Sequence, residues 1–87
     1  MSEVLNPYSP LVDEVGYAAV VNAEYVKSSF SVANGGCLSF AQVGELIGFQ
    51  DDKLPLAQRK ERTLVFTREE MRAYVLGAKA GEFDHLI

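Results

Sequence analysis

Leu64-Val65-Phe66-Thr67-Arg68-Glu69-Glu70-Met71-Arg72-Ala73-Tyr74-Val75-Leu76-Gly77-Ala78-Lys79-Ala80-Gly81-Glu82-Phe83 is the stretch whose reading decides the fold. Thr67 can cap a helix with its hydroxyl, and Glu70 three residues on can return to the free amide, the reciprocal capping box. Met71, Tyr74, Val75 and Ala78 then recur at helical spacing on one face. Glu69 and Glu70 at the start and Lys79 at the end oppose the helix dipole favourably. Gly81 can take the left-handed conformation that ends a helix, and Phe83 can fold back on the last turn. The pattern predicts a helix from Arg68 to about Ala80. A helix this short is marginal alone, below roughly 12–15 residues, and Gly77 costs it about 1 kcal/mol relative to alanine. It therefore needs a surface to pack against, which the earlier residues must supply.

Working outward, Thr63 to Phe66 reads as a strand leading into that helix. Asp51 to Arg62 is polar, contains Pro55 and reads as the longest loop. Leu46 to Gln50 and Cys37 to Val43 alternate with the period of two of a strand. Leu38 and Phe40 share one face, and so do Ile47 and Phe49. Gly44-Glu45 can turn between them, and Asn34-Gly35-Gly36 marks a tight turn from an earlier strand over Tyr25 to Phe30. Before that, Ser9-Pro10 can start a helix over about 10–20, with Leu11, Val12, Val15, Ala18 and Ala19 as its apolar stripe. Gly16 and Val20-Val21 argue instead for a strand from Tyr17 onward. The expected fold is α+β: a small, strongly curved antiparallel sheet of about four strands, closed by the C-terminal helix.

The chain has 87 residues, one cysteine, one histidine and a formal net charge of -4. That length makes one small domain with a modest core. A lone Cys37 forms no internal disulfide, and one cysteine with one histidine assembles no structural metal site. No cofactor or metal is expected. No stretch approaches the ~20 apolar residues of a membrane span, and the reading is cytoplasmic. Net negative charge disfavours direct nucleic-acid binding, which needs a basic footprint; Arg59, Lys60 and Arg62 read as a solvated loop. Cys37 lacks a basic neighbour in sequence and reads as a structural thiol. His85 lies in the tail, so no catalytic pair is expected. Asp51 and Asp52 are too few carboxylates for a calcium loop.

The residues Lys27-Ser28-Ser29-Phe30-Ser31, Asn34-Gly35-Gly36-Cys37, Asp51-Asp52-Lys53, and Leu64-Val65-Phe66-Thr67 through Gly77-Ala78-Lys79-Ala80-Gly81-Glu82-Phe83 together resemble the actinobacterial domain-of-unknown-function family 397. The likeness covers about residues 25–84. Tyr25 and Met71 stand where that family has tryptophan, Ser39 where it has glutamate, Gln50 where it has arginine, and Asp52 where it has serine. The resemblance implies a family domain over 25–87, preceded by an N-terminal extension over 1–24 that is open to a partner. It further implies a non-enzymatic protein that binds and restrains a helix-turn-helix transcription regulator of the xenobiotic-response-element type, in an antitoxin-like manner. The acidic charge suits a basic DNA-binding partner. Two surfaces are the expected contacts: Lys27, Ser28, Ser29 and Ser31 on the first strand, and the acids Glu69, Glu70, Glu82 and Asp84. The rival reading is a self-associating structural module acting as a homodimer.

Overall fold

Of the two conformations open to the N-terminal stripe, the helix is adopted: α1 runs Glu14–Val21 in a computed structural model that describes residues 14–31 and 37–87. The β-branched Val20 costs a helix a few tenths of a kcal/mol, whereas burying it returns roughly 1.5–3 kcal/mol. Val20 is fully buried, so packing wins over propensity. The end of α1 is tied off by side chains: Asn22 Nδ2 donates to Ala18 O at 2.8 Å and the Tyr25 hydroxyl to Val20 O at 2.9 Å.

Three strands follow, β1 (Leu38–Val43), β2 (Leu46–Asp51) and β3 (Leu64–Thr67), antiparallel in the order β1-β2-β3. Gly44, at φ 60°, makes the expected β1–β2 turn. Phe40 lies opposite Phe49, and Phe49 opposite Leu64. Where a first strand over Tyr25 to Phe30 was expected, the chain makes only a bridge. Val26 and Phe40 exchange N–H···O bonds of 2.9 and 2.8 Å, and the chain then turns. Ser28 is the cause. Its hydroxyl accepts the Phe30 N–H at 3.0 Å and its carbonyl the Ser31 N–H at 2.9 Å, local bonds that compete with a ladder. The sheet thus has three strands among the described residues rather than about four. Neither ladder carries a bulge, the device that would impose a strong curl. The Asn34-Gly35-Gly36 turn lies outside the described residues.

A second correction concerns residues 51–62, expected as a loop. Leu56–Glu61 form a helix, α2, that starts after Pro55; leucine, alanine, glutamine, arginine, lysine and glutamate are all good helix formers. Arg59 is not solvated loop but a clamp. Its guanidinium donates to Leu54 O at 2.9 and 3.2 Å and to Asp52 O at 3.3 Å.

The last helix, α3, spans Arg68–Lys79 with both halves of the expected capping box, Glu70 N–H to Thr67 Oγ1 at 3.2 Å and Thr67 N–H to Glu70 Oε1 at 2.9 Å. Gly81, at φ 86°, ends it. Glu82 N–H bonds to Gly77 O at 3.0 Å and Gly81 N–H to Ala78 O at 3.1 Å, the paired bonds of a Schellman motif. Phe83 folds back as expected and stacks on Tyr74, with ring centroids 5.1 Å apart. A short 3-10 turn, Asp84–Leu86, follows.

The core is not under α3. Val20 of α1 packs with Leu46 and Val65 as the buried apolar cluster, against the sheet face that carries Ser39, Ala41, Gly48 and Gln50, all buried. The residues of that face are small or polar, and smallness lets α1 come close. A Cβ on Gly48 would lie 2.6 Å from Val20 Cγ1 and nearer still to the Tyr25 hydroxyl. Gln50 replaces apolar packing with a buried hydrogen-bond chain: its Nε2 donates to Val21 O at 3.1 Å and to Thr63 Oγ1 at 2.9 Å, and Thr63 Oγ1 donates to Arg59 O at 3.0 Å. One side chain thereby ties α1, β2 and α2 together. Val20, within the stretch 1–24 read as an N-terminal extension, is the most enclosed side chain among the described residues.

Candidate functional site

The opposite face of the sheet carries the larger apolar residues: Leu38 and Phe40 on β1, Ile47 and Phe49 on β2, Leu64 and Phe66 on β3. Register puts them together, since paired residues share a face. Phe49 and Phe66 meet edge to face at 6.2 Å. The α3 helix covers this face only in part. Within α3 the one buried residue is Gly77, and what closes over it is Phe83 and Glu82 of the same chain. Leu38 and Leu64 remain 64 % and 60 % exposed.

Two open hollows result. One, of about 500 Å³, is lined by Leu38, Phe49, Leu64, Phe66, Met71, Tyr74 and Glu70. The other, of about 460 Å³, lies among Val26, Phe40, Ile47, Phe49, Met71, Val75 and Glu24. Phe49 and Met71 belong to both and form the ridge between them. Leu38, Phe40, Leu64 and Tyr74 are exposed along this face, and an exposed apolar region rimmed by polar residues is the kind of surface that marks contact sites.

The sheet edges offer less. Arg68 N–H donates to Glu45 O at 2.9 Å, so along β3 it is Val65 and Thr67 whose main-chain groups point to the open side. Thr67 N–H is taken by Glu70, which leaves Val65 as the edge. On β1 the outward groups of Phe40 are taken by Val26. One position on each edge is thus occupied, Phe40 on β1 and Thr67 on β3, which limits the length over which a strand could add.

The eight residues expected to touch a partner fall in three separate places. Lys27 leaves its strand role and bridges Asp52 at 3.2 Å. Ser28, Ser29 and Ser31 sit in the turn described above rather than on a strand, with Ser28 occupied by it. Glu69 and Glu70 lie in the first turn of α3, whereas Glu82 and Asp84 follow its end, one helix length away, about 18 Å at 1.5 Å per residue. They do not form one acidic surface. Among them only Glu70 borders the apolar face.

Beside Lys27, Asp52 also accepts the Ser39 hydroxyl at 3.0 Å. The Ser39 hydrogen bond holds its carboxyl below the usual carboxylate range against desolvation, the next largest effect, and the Lys27 ammonium adds to the lowering. Asp51 is lowered as well, chiefly by the Lys53 backbone N–H at 2.9 Å and then by the Lys53 ammonium at 3.1 Å; Lys53 is raised in return. These are pairs that fasten the end of the β1–β2 ladder. Tyr25 is raised by burial, with Tyr17 adding to it. Among the described residues no group of three His, Cys, Asp or Glu side chains is placed to hold a metal ion, and no helix is long and apolar enough to cross a membrane.

No family model matches this chain, and no curated protein or solved structure is similar to it. The resemblance to family 397 therefore rests on the motifs quoted for it. Those motifs now have physical roles. Asp52 and Lys27 pair, the Thr67 to Glu70 segment is the capping box, and Gly81-Glu82-Phe83 is the Schellman closure with its aromatic stack. The apolar face itself escaped a reading by motif. Its signal was present in the alternation of Leu38, Phe40, Ile47 and Phe49, but alternation alone does not say which face of a sheet a helix covers.

Proposed function

We propose that this chain is a non-enzymatic regulatory protein of the family 397 type that binds and restrains a helix-turn-helix transcription regulator, antitoxin-like, in the cytoplasm. The observation that carries the reading is the outward apolar face around Phe49 and Met71, on a protein with a net charge of -4. An exposed face of large apolar side chains is a cost that a second macromolecule removes, and a negative exterior is attracted to the basic surface with which such a regulator holds DNA. The contact is accordingly centred on this face and reaches Glu70, rather than on the serines at 28–31. The test is a titration of the chain into a complex of DNA with the helix-turn-helix protein encoded beside it, at low and moderate salt. Release of DNA, or a stable ternary complex, supports the reading; no association at either salt defeats it.

The same face favours a second reading, a homodimer in which two copies bury it against each other. Sedimentation at micromolar concentration decides this: a monomer removes it.

A further inference from the structure

The buried core and the last helix lie on opposite faces of the sheet, and little fastens one to the other. Val20, Leu46 and Val65 form the buried cluster, and the Gln50 chain ties α1, β2 and α2 together on that same side. None of these residues belongs to α3. At its root α3 is fixed, since Arg68 N–H donates to Glu45 O at 2.9 Å and the Arg68 guanidinium stands 3.8 Å from the Glu45 carboxylate. Beyond that root, among the described residues, every hydrogen bond and ion pair of residues 69–87 ends within 67–87. The Phe83 ring likewise stacks on Tyr74 of the same segment. What holds α3 over the sheet is therefore apolar contact, centred on Met71, which lines the hollows on both sides, while Tyr74, Val75 and Leu76 stay exposed. A helix of 12 residues with a glycine inside it is marginal without such support. We propose that α3 and its tail form a strap, hinged at Thr67 and Arg68, that detaches and unwinds while α1, the sheet and α2 stay folded. Its opening uncovers Phe49 and Phe66, so the exposure of the apolar face is set by a local equilibrium and not by the stability of the whole domain. This device is independent of the regulator-binding reading, because it involves this chain alone.

The test is native-state hydrogen exchange on the full chain, read amide by amide. The α3 amides from Arg72 to Ala80 are expected to be protected, yet to exchange roughly tenfold or more faster than those of β2, which wait for global unfolding. Val20→Ala separates the two units. It speeds β2 about thirtyfold, the size of a large-to-small change in the core, and leaves the α3 rates as they were. Met71→Ala weakens the apolar hold and speeds α3 by about tenfold. Urea below the unfolding midpoint makes the same separation with no substitution: detaching α3 exposes less surface than unfolding the domain, so exchange in α3 rises less steeply with urea than exchange in β2. Equal rates in α3 and β2, with an equal response to Val20→Ala or to urea, overturn the proposal, because the domain then opens as one unit. So do α3 amides with no protection, which would leave the strap no closed state, and α3 rates indifferent to Met71→Ala.

Discussion

Gly48→Ala is expected to be among the most damaging single-methyl additions in this chain. The new Cβ would lie 2.6 Å from Val20 Cγ1 and closer than that to the Tyr25 hydroxyl. Neither can step aside cheaply, because Val20 is fully buried and Tyr25 is held by Val20 O at 2.9 Å. Overpacking a filled site costs typically 1–3 kcal/mol, and losing the Tyr25 bond adds about 1 kcal/mol. The sum, about 2–4 kcal/mol, is a large share of the roughly 5 kcal/mol a small domain has. Urea denaturation followed by circular dichroism reads this as a midpoint lowered by about 2 M or more, with m near 1 kcal/mol/M for a chain of this size. The cycle with Val20→Ala sharpens the test. That change alone costs about 2 kcal/mol, but it removes the Val20 half of the clash and opens room into which the Tyr25 hydroxyl can shift, so the double variant should be better than additive by about 0.5 kcal/mol or more. Leu38→Ala, on the other face, should cost under about 1 kcal/mol, because the residue is already mostly exposed. Additive costs in the cycle, or a Leu38→Ala more harmful than Gly48→Ala, would refute the assignment of the inner face.

Gln50→Leu deprives Val21 O and Thr63 Oγ1 of their donor and should cost about 2–3 kcal/mol, with proteolysis near α2 rising as its tie is cut. Glu70→Ala removes one half of the capping box and should lower stability by about 1 kcal/mol, whereas Glu70→Gln should be close to neutral in the same melt. Acid should weaken the fold through Asp51 and Asp52, whose folded pKa values lie below the ordinary 3.8. A depressed carboxyl contributes fully above its unfolded value, and the contribution is lost as pH falls through the folded one. The gap in Tm between wild type and Asp52→Asn should therefore be full at about pH 6 and shrink as pH falls below 3.8; a gap that widens in acid would contradict the Ser39 and Lys27 contacts.

The parts of the fold that were legible are those whose causes are local. The α3 helix could be read to within a residue because the Thr67 to Glu70 box and the Gly81 closure lie inside one stretch of chain. The β1 and β2 strands and the Gly44 turn could be read because alternation and one glycine sufficed. The first strand was misread, since the pattern at 25–30 suits a ladder, but the Ser28 hydroxyl and carbonyl offer bonds only two and three residues away. The α2 helix was hidden in a segment judged by its polarity, although its residues are good helix formers. What could not be read was which face of the sheet is inside. Alternation shows that Leu38 and Phe40 oppose Ser39 and Ala41 in direction, yet the choice depends on which helix arrives, and that is a contact between residues far apart in sequence. Nearness in sequence is likewise no guide to a shared surface: Glu69 and Glu70 stand at the start of α3 and Glu82 follows its end.

Why the larger residues are outside follows from how the register is held. A slip of one residue would exchange the two faces, and the larger side chains would then bury more apolar area, so area alone favours the slipped form. Three features oppose it. Gly48 provides the close approach that Val20 and Tyr25 occupy. Gln50 reaches Val21 and Thr63 only when it points inward, and Ser39 donates to Gln50 O at 3.2 Å and to Asp52 at 3.0 Å on the same side. Turned outward, Gln50 would leave the Val21 carbonyl without this donor, and Phe49 turned inward would overlap α1. Fixing the small, hydrogen-bonded face inside thus obliges Leu38, Phe40, Phe49 and Leu64 to face out, whatever they then touch. The identity of those outward residues is consequently free of the demands of the inner core. Leu38 and Leu64 are thereby left 64 % and 60 % exposed, and the partner reading proposed above is what would give that exposure a use.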